Sequence, residues 1–442
     1  MGKKEIVLTV LILLALLAGV LVGQFVLHAG GEAAAGSIEV FTKLGDLLFI
    51  RPLRMLVVPI VFIGVTVGVA GIGRADKLGL LGGTTIAYYL LTMAASITVG
   101  LALVGVFKPG AGADLASLEE NAKSAFENSV ESRIEDRPET FTDVVFQLGE
   151  SLVSDNPIRS AAEGDTLPLV TLAILLGLAL VLIREKGEAA IAFFQSLFEA
   201  LIRLVLWIIW LAIPGIFFIV AARVGQVGFE GFAGPLAKFS MVVVVGLLIH
   251  SVITLPTVLA VFGRINPFVF MWQMRKPLLT AFGTSSSAAT LPITIEEAVQ
   301  SGGCSRRAAN FVLPVGATIN MDGTALYIAV VVSFLFELYG FELTLIQYAI
   351  ILFTATLTAV GAAAVPSASL VLMAIVIGAV NNTLPALEDG ETQLLPLHAI
   401  GIILGVDRLL DMCRTAVNVW GDSVGAKLLT RLAPDEDAAS RS

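Results

Sequence analysis

The stretch Gly405-Val-Asp-Arg-Leu-Leu-Asp-Met-Cys-Arg-Thr-Ala-Val-Asn-Val-Trp-Gly-Asp422 decides how the chain is read. At about 100° per residue, Asp407, Asp411, Arg414, Thr415, Asn418 and Asp422 fall within about a third of a helix circumference. The other faces carry mostly Leu, Val, Met and Trp. Charges at membrane depth are costly, so they face a protein interior or a wet cavity and mark a transport or ion path.

The surrounding chain makes that membrane reading compulsory. Of its 442 residues, 57% are hydrophobic and 14% charged, against about 45–50% and 25% in a soluble domain. Apolar segments recur near 6–28, 37–71, 79–107, 166–184, 189–222 and 232–262, each long enough to be weighed as a membrane span. The first is too long for a signal-peptide core and has no clear small-residue cleavage site, so it reads as a first spanning helix. The net charge of -9 gives no basic patch for nucleic acid. Cys304 and Cys413 make no disulfide framework and have no metal spacing. His28, His250 and His398 are too scattered to suggest a metal site, and each reads as a helix-end or packed residue. No HExxH, GxSxG or paired Cys/His motif supports a membrane enzyme.

Lys and Arg set the orientation, because cytoplasmic flanks are enriched in them. Lys3 and Lys4 put the N-terminus inside; Arg74 and Lys77, Arg184 and Lys186, then Arg264, Arg275 and Lys276 follow the second, fourth and sixth spans. The hydrophilic stretch 109–165 holds 13 Asp/Glu against 4 Lys/Arg and reads as an extracytoplasmic loop. No Lys or Arg lies between Arg307 and Arg408, and the acidic stretch 382–391 also reads as extracytoplasmic. Segment 345–385 therefore leaves and returns on one side, as a re-entrant hairpin. Segment 277–303, flanked by Lys276 and by Arg306 and Arg307, makes the same argument from the cytoplasmic side. The last helix ends inside, at Lys427 and Arg431.

The expected fold is thus all-α and polytopic: eight transmembrane helices plus two oppositely oriented re-entrant hairpins. The hairpin tips are small or polar, Gly283-Thr-Ser-Ser-Ser-Ala-Ala-Thr-Leu-Pro292 and Gly361-Ala-Ala-Ala-Val-Pro-Ser-Ala-Ser369. Each hairpin is followed by a polar helix, Asn320-Met-Asp-Gly-Thr324 and the opening stripe. Such a pair of units entering from opposite faces is the sign of inverted repeats with a site at their interface. Broken backbone at that depth is tolerated where it is buried or lines a cavity.

The chemistry of the site follows from residue types. Arg414 can bind a carboxylate bidentately, and Asp411, one turn away, can hold an ammonium group. Together they read an acidic amino acid; the competing reading is an intrahelical Asp411–Arg414 salt bridge at i,i+3. Asp322, Asn320 and carbonyls freed beside Gly323 are hard oxygen ligands for a small cation, and Asn418 and Asp422 add an amide and a carboxylate. Ser285, Ser286 and Ser287 offer donors to an α-carboxylate at a hairpin tip.

Ser285 to Thr294, Pro314 to Tyr327 and the stripe 407–422 resemble the glutamate transporter family, the dicarboxylate/amino acid:cation symporters, in a prokaryotic-type aspartate/glutamate form. Arg54-Met-Leu-Val-Val-Pro59 and Tyr88-Tyr-Leu-Leu-Thr92 resemble its earlier helices. The resemblance runs through essentially the whole chain. It implies a homotrimer in the cell membrane working by an elevator mechanism, with both termini cytoplasmic, a scaffold part (1–78 and 145–228) and a moving transport part (79–108 and 229–430). Within the latter the hairpins cover about 265–303 and 345–386; 431–442 is a cytoplasmic tail.

Carried over by position, Arg414 binds the substrate's side-chain carboxylate and Asp411 its amine, with Ser286, Ser287, Thr324, Val365, Pro366, Thr415 and Asn418 completing the pocket. Sodium ions, two or three, are co-transported. Gly316, Asn320, Asn418 and Asp422 form one sodium site; the backbone of Thr318, Ala359, Val360 and Ala362 a second; Tyr89, Thr92, Asn320 and Asp322 a third. Met93 stands where the family usually has a hydroxyl of that third site. Ile328 replaces a glutamate that animal members link to proton and potassium coupling. Ser285 and Met412 occupy the two positions where the family carries an extra arginine. Arg408, on nearly the same face as Met412, either supplies that charge by pairing with Asp411 or Asp407, or snorkels or pairs structurally. The function implied is sodium-driven uptake of L-aspartate or L-glutamate. A proton-coupled dicarboxylate carrier is disfavoured by Asp411 and a neutral amino-acid carrier by Arg414; an anion-conducting channel stands as a further alternative.

Overall fold

The computed structural model describes residues 3–72, 75–111, 153–163, 166–183, 185–227, 235–360, 369–384 and 394–435. Among them there is no strand. Most of the acidic loop, the tip of the second expected hairpin and residues 436–442 lie outside this set.

Helix α1 (Lys3–Val22) runs on as a π turn, Gly23–His28. Helix α2 (Ala35–Gly45) passes through another, Asp46–Ile50, into α3 (Arg51–Ile72). Then come α4 (Ala75–Phe107), α5 (Pro157–Glu163), α6 (Thr166–Leu182), the amphipathic α7 (Glu185–Ile208) and α8 (Ala212–Val227). Helix α9 (Pro235–Ile249) continues as a π turn, His250–Thr254, a short α10 (Leu255–Val258) and a π turn, Leu259–Gly263. Wide turns stand just before Pro52 and Pro256 because proline has no N–H to return to the preceding turn.

The second half is more broken. Helices α11 (Pro267–Gln273), α12 (Arg275–Thr284) and α13 (Ser287–Gln300) precede α14 (Arg306–Ile319) and α15 (Asp322–Leu338). Helices α16 (Leu345–Val360), α17 (Ser369–Asn381) and the long α18 (Leu404–Leu429) complete the chain. Helices α12 and α13 pack on each other, as do α16 and α17. At 1.5 Å per residue the members of these pairs reach only about 15–24 Å, short of the ~30 Å of a hydrocarbon core.

Among the described residues, four stretches are long and apolar enough to cross a bilayer: Val10–His28, Gly79–Phe107, Leu236–Gly263 and Arg306–Leu338. The outer faces of the first three expose large apolar side chains such as Leu17, Phe25, Leu91, Val106, Ile253 and Phe262, which is how a lipid-facing surface reads, whereas Arg306–Leu338 is buried within the protein. A polytopic membrane protein is what this architecture supports.

The apolar interior falls into two clusters. One joins Phe49, Ile60 and Phe198 to α13, to α14 as far as Ala317, and to α18 at Met412 and from Trp420 onward. The other joins α4, α9 and α15–α17 to α18 as far as Val417. The seam between them crosses α14–α15 near residue 320, and α18 runs along it, with Met412 in the first cluster and Val406, Leu410 and Val417 in the second.

Candidate functional site

The path from α14 to α15 breaks at Asn320 and Met321, whose backbones leave the helical region (φ -89, ψ 103 and φ -123, ψ 50). The break leaves the C-terminal, partly negative end of α14 beside the N-terminal, partly positive end of α15. Asn418 of α18 bridges the gap. Its Oδ1 accepts the backbone N–H of Gly323 at 2.7 Å and of Thr324 at 3.4 Å, and its Nδ2 donates to Thr324 Oγ1 at 3.1 Å and contacts Met321 Sδ at 3.3 Å. Glycine makes the approach possible: a Cβ on Gly421 would sit 2.5 Å from Asp322 Oδ2 and 2.7 Å from Asn320 Nδ2.

On the α15 side of this break lies a charged cluster. Arg414 donates from Nε to Asp411 Oδ1 at 2.9 Å and from Nη1 to Asp407 Oδ1 at 3.0 Å. Its guanidinium stacks 4.2 Å from the centre of the Tyr327 ring. The intrahelical Asp411–Arg414 bridge is therefore formed, and Asp407 closes it from the other side. Thr415 Oγ1 returns a bond to the Asp411 carbonyl at 2.8 Å. Arg414 is 1% exposed and Asp411 6%, so Coulomb forces between them are weakly screened.

The ion pair weighed for Arg408 is not formed. Arg414 engages both carboxylates that could have taken it, and Arg408, half-buried, makes no ion pair among the described residues. It instead lies within electrostatic reach of Arg223 on α8. Arg223 lines a cavity of about 460 Å³ with Lys43, Asp46 and Arg51.

Toward the end of α14 a second group collects oxygen atoms. Asn320 Nδ2 donates to Asp422 Oδ1 at 2.9 Å. Tyr89, fully buried on α4, donates to the Val312 carbonyl at 2.8 Å. A Cβ on Gly316 would run into both Asp422 Oδ1 and the Tyr89 hydroxyl. Asp322 is 0% exposed, yet among the described residues neither of its oxygens, nor Asn320 Oδ1, accepts a hydrogen bond. Buried acceptors left open call for an ion or water, and amide plus carboxylate oxygens suit a small hard cation. Thr92 turns its hydroxyl to the carbonyls of Tyr88 and Tyr89 on its own helix, at 3.1 and 3.2 Å.

The remaining expected residues are placed less completely. Helices α12 and α13 both pack on α18. Ser285 at their tip is left-handed (φ 50), and Ser286 caps α13 by accepting the Ala289 N–H at 3.2 Å. Ser287 opens that helix and is buried. Thr318 bonds back to the Val315 carbonyl, and α14 meets α16, whose last residues are Ala359 and Val360. Ala362, Val365 and Pro366 lie outside the described residues.

Three participants were given no role by the sequence, and a fourth, Asp407, was placed in the stripe as a possible partner of Arg408 rather than of Arg414. Tyr327 lies one turn beyond Thr324 in an apolar run. Ser96 donates to the Asp322 carbonyl at 2.8 Å, and Tyr88 to the Gly421 carbonyl at 3.0 Å.

A model of the sodium:dicarboxylate symporter family matches residues 8–432. The chain is 36% identical to the neutral amino acid transporter B(0) of Bos taurus, over 96% of this chain and 79% of that protein. It is 32% identical to the proton/sodium-glutamate symport protein of Geobacillus stearothermophilus, over 95% of this chain and 93% of that one. Identity to the excitatory amino acid transporter 1 of Homo sapiens is 40%, over 71% of this chain and 55% of the relative.

Proposed function

The chain belongs to the sodium:dicarboxylate symporter family, and from that premise we propose that it is a sodium-coupled symporter of acidic amino acids, aspartate or glutamate. One observation carries the reading. In the polar layer between the two apolar clusters, Asp322, Asp407, Asp411 and Asp422 are all nearly fully buried, and among the described residues Arg414 is the arginine buried with them. Buried charges are compensated, so this layer calls for cations from outside.

An amino acid with a side-chain carboxylate fits the gap. Its carboxylate takes the planar face of Arg414 in exchange for a resident aspartate, and its ammonium takes Asp411. Sodium ions then neutralise Asp422 and Asp322, held with Asn320, Asn418, Tyr89 and the carbonyl end of α14. Coupling follows because each charge alone leaves the layer unbalanced, so cation and substrate bind better together than apart. We assign the second sodium position to the carbonyls of Thr318, Ala359 and Val360 with Ala362, under the tip that carries Val365 and Pro366.

In this reading α12–α13 and α16–α17 are re-entrant hairpins entering from opposite faces. Together with α4, α9, α14, α15 and α18 they move as one transport unit against a scaffold of α1–α3 and α6–α8, in a homotrimer. Transport by elevator motion requires the α3 and α8 surfaces to slide on α12–α14.

A second reading rests on the Asp407–Arg414 pair. With Asp407 as permanent counter-ion, Arg414 needs no substrate carboxylate, and a neutral amino acid would suffice, as the name of the bovine relative suggests for that protein. Uptake of labelled L-aspartate and L-alanine into proteoliposomes, with sodium and proton gradients imposed separately, tests both. Aspartate uptake driven by sodium supports the first reading; alanine uptake with no aspartate uptake replaces it with the second.

A further inference from the structure

His250 is fully buried at the start of the π turn in the α9–α10 helix, with Nε2 3.2 Å from Asp322 Oδ2. The contact falls short of hydrogen-bond geometry, and neither ring nitrogen has a hydrogen-bond partner among the described residues. A buried polar ring without other partners is kept at a position by what it touches, and π turns are found mostly at functional positions. The π turn is itself anchored at this level, because Trp420 Nε1 donates to the Ser251 carbonyl at 3.1 Å. The next residue, Gly421, is the one whose bare Cα lets Asp322 Oδ2 and Asn320 Nδ2 approach α18. The helix bearing His250, the α15 end bearing Asp322 and α18 are thus locked together around one carboxylate.

We propose that His250 is a positioning residue for a sodium site: it holds Oδ2 of Asp322, so that Oδ1 is presented with Asn320 Oδ1 to the cation. The inference rests on the reading of Asp322 as a sodium ligand. A carboxylate on an isolated side chain has a soft terminal torsion. Fixing one oxygen removes that freedom before the ion arrives, which is how outer partners orient ligands in other metal sites. A neutral imidazole with its hydrogen on Nε2 does this without adding charge. A leucine at position 250 could fill space but not hold the oxygen; a glutamine amide can reach the same point.

The test is sodium titration of the purified full-length protein without amino acid, against choline at constant ionic strength. Binding is read by tryptophan fluorescence and by sodium-dependent thermal stabilisation. Maximal aspartate uptake at saturating sodium is measured alongside. His250→Leu should weaken apparent sodium affinity by at least about ten-fold, with maximal uptake reduced far less, and His250→Gln should restore most of the affinity. An unchanged sodium midpoint in His250→Leu overturns the proposal, and so does an equal loss in His250→Gln. Should His250→Leu fail to fold, His250→Asn, whose shorter amide cannot reach Oδ2, must show the shift that His250→Gln does not. Asp322→Asn separates the two levels of inference. If it leaves sodium binding intact, the reading of Asp322 as a ligand falls and takes the proposal with it. If it abolishes binding while His250→Leu does not, the role of His250 alone falls.

Discussion

Asp407 and Arg414, seven residues apart on α18, are joined at 3.0 Å between Oδ1 and Nη1, with side chains 3% and 1% exposed. Two turns of helix place them on one face, and Asp411 between them takes the guanidinium from the other side at 2.9 Å. The three charges sum to minus one, so the cluster favours an incoming ammonium group. Asp407→Asn keeps the shape and removes a charge. It should lower stability by about 2 kcal/mol, the scale of a hydrogen bond to a buried charged group, and weaken binding of any substrate bearing an amine. A melting temperature equal to that of the parent protein would show that the pair contributes nothing.

Arg414 itself decides substrate charge. Its removal alone strands two buried aspartates, so the informative variant is Arg414→Ala combined with Asp407→Asn. Losing a buried carboxylate partner is worth about 3 kcal/mol, or roughly two orders of magnitude in affinity. Aspartate uptake should fall by that factor while alanine uptake persists or rises. Aspartate uptake at the parental rate in the double variant would sink the assignment of Arg414.

The fold was legible in outline because membrane helices must be apolar along most of their length, and α4, α9 and α14–α15 obey that rule. The stripe on α18 was legible because helical periodicity alone places Asp411, Arg414, Asn418 and Asp422 on one side. The break at Asn320-Met321 could be read from a carboxylate, an amide and a glycine inside an apolar run. Periodicity says nothing about rotamers, however. Asp407 and Arg408 are adjacent in sequence, yet Asp407 turns inward to Arg414 while Arg408 makes no ion pair among the described residues. His250 was illegible for a different reason: its partner lies 72 residues along the chain, and a lone histidine carries no spacing to interpret.

Asn418 satisfies the exposed start of α15. Asn418→Ala removes the acceptor of the Gly323 and Thr324 N–H groups, leaving two buried donors open at about 1–3 kcal/mol each. The variant should melt at lower temperature and lose sodium and substrate affinity together, since the break supports both clusters. Asn418→Asp keeps an acceptor and should recover most of the stability, though its added charge changes ion selectivity. Equal stability of Asn418→Ala and the parent, by thermal melt, would exclude this capping role.

Gly316 tests the cation cluster without touching a charge. An added methyl meets the Asp422 carboxylate and the Tyr89 hydroxyl, and one of them must move. Gly316→Ala should raise the half-saturating sodium concentration for uptake by about ten-fold, a loss of about 1.4 kcal/mol, with little change in the substrate specificity set at Arg414. A sodium dependence matching the parent would place the cation elsewhere.

Lys276 and Glu297 join α12 to α13 far from the tip, through a 2.5 Å contact between side chains 7% and 6% exposed. Glu297 also accepts the Ser301 hydroxyl at 2.8 Å. Breaking a buried pair by removing one partner leaves an uncompensated charge and costs about 3–5 kcal/mol, whereas replacing both by apolar residues of similar volume is often neutral. Lys276→Met and Glu297→Leu should each destabilise the protein by several kcal/mol, and the double variant should recover most of that loss. The α12–α13 pair has only two non-helical residues at its tip, so its closed end is already constrained; the ion pair fixes the open end. If the pair serves only to hold the two arms together, the double variant should also transport at the parental rate. Recovery of the melting temperature without recovery of transport would instead assign the charges a part in moving the hairpin.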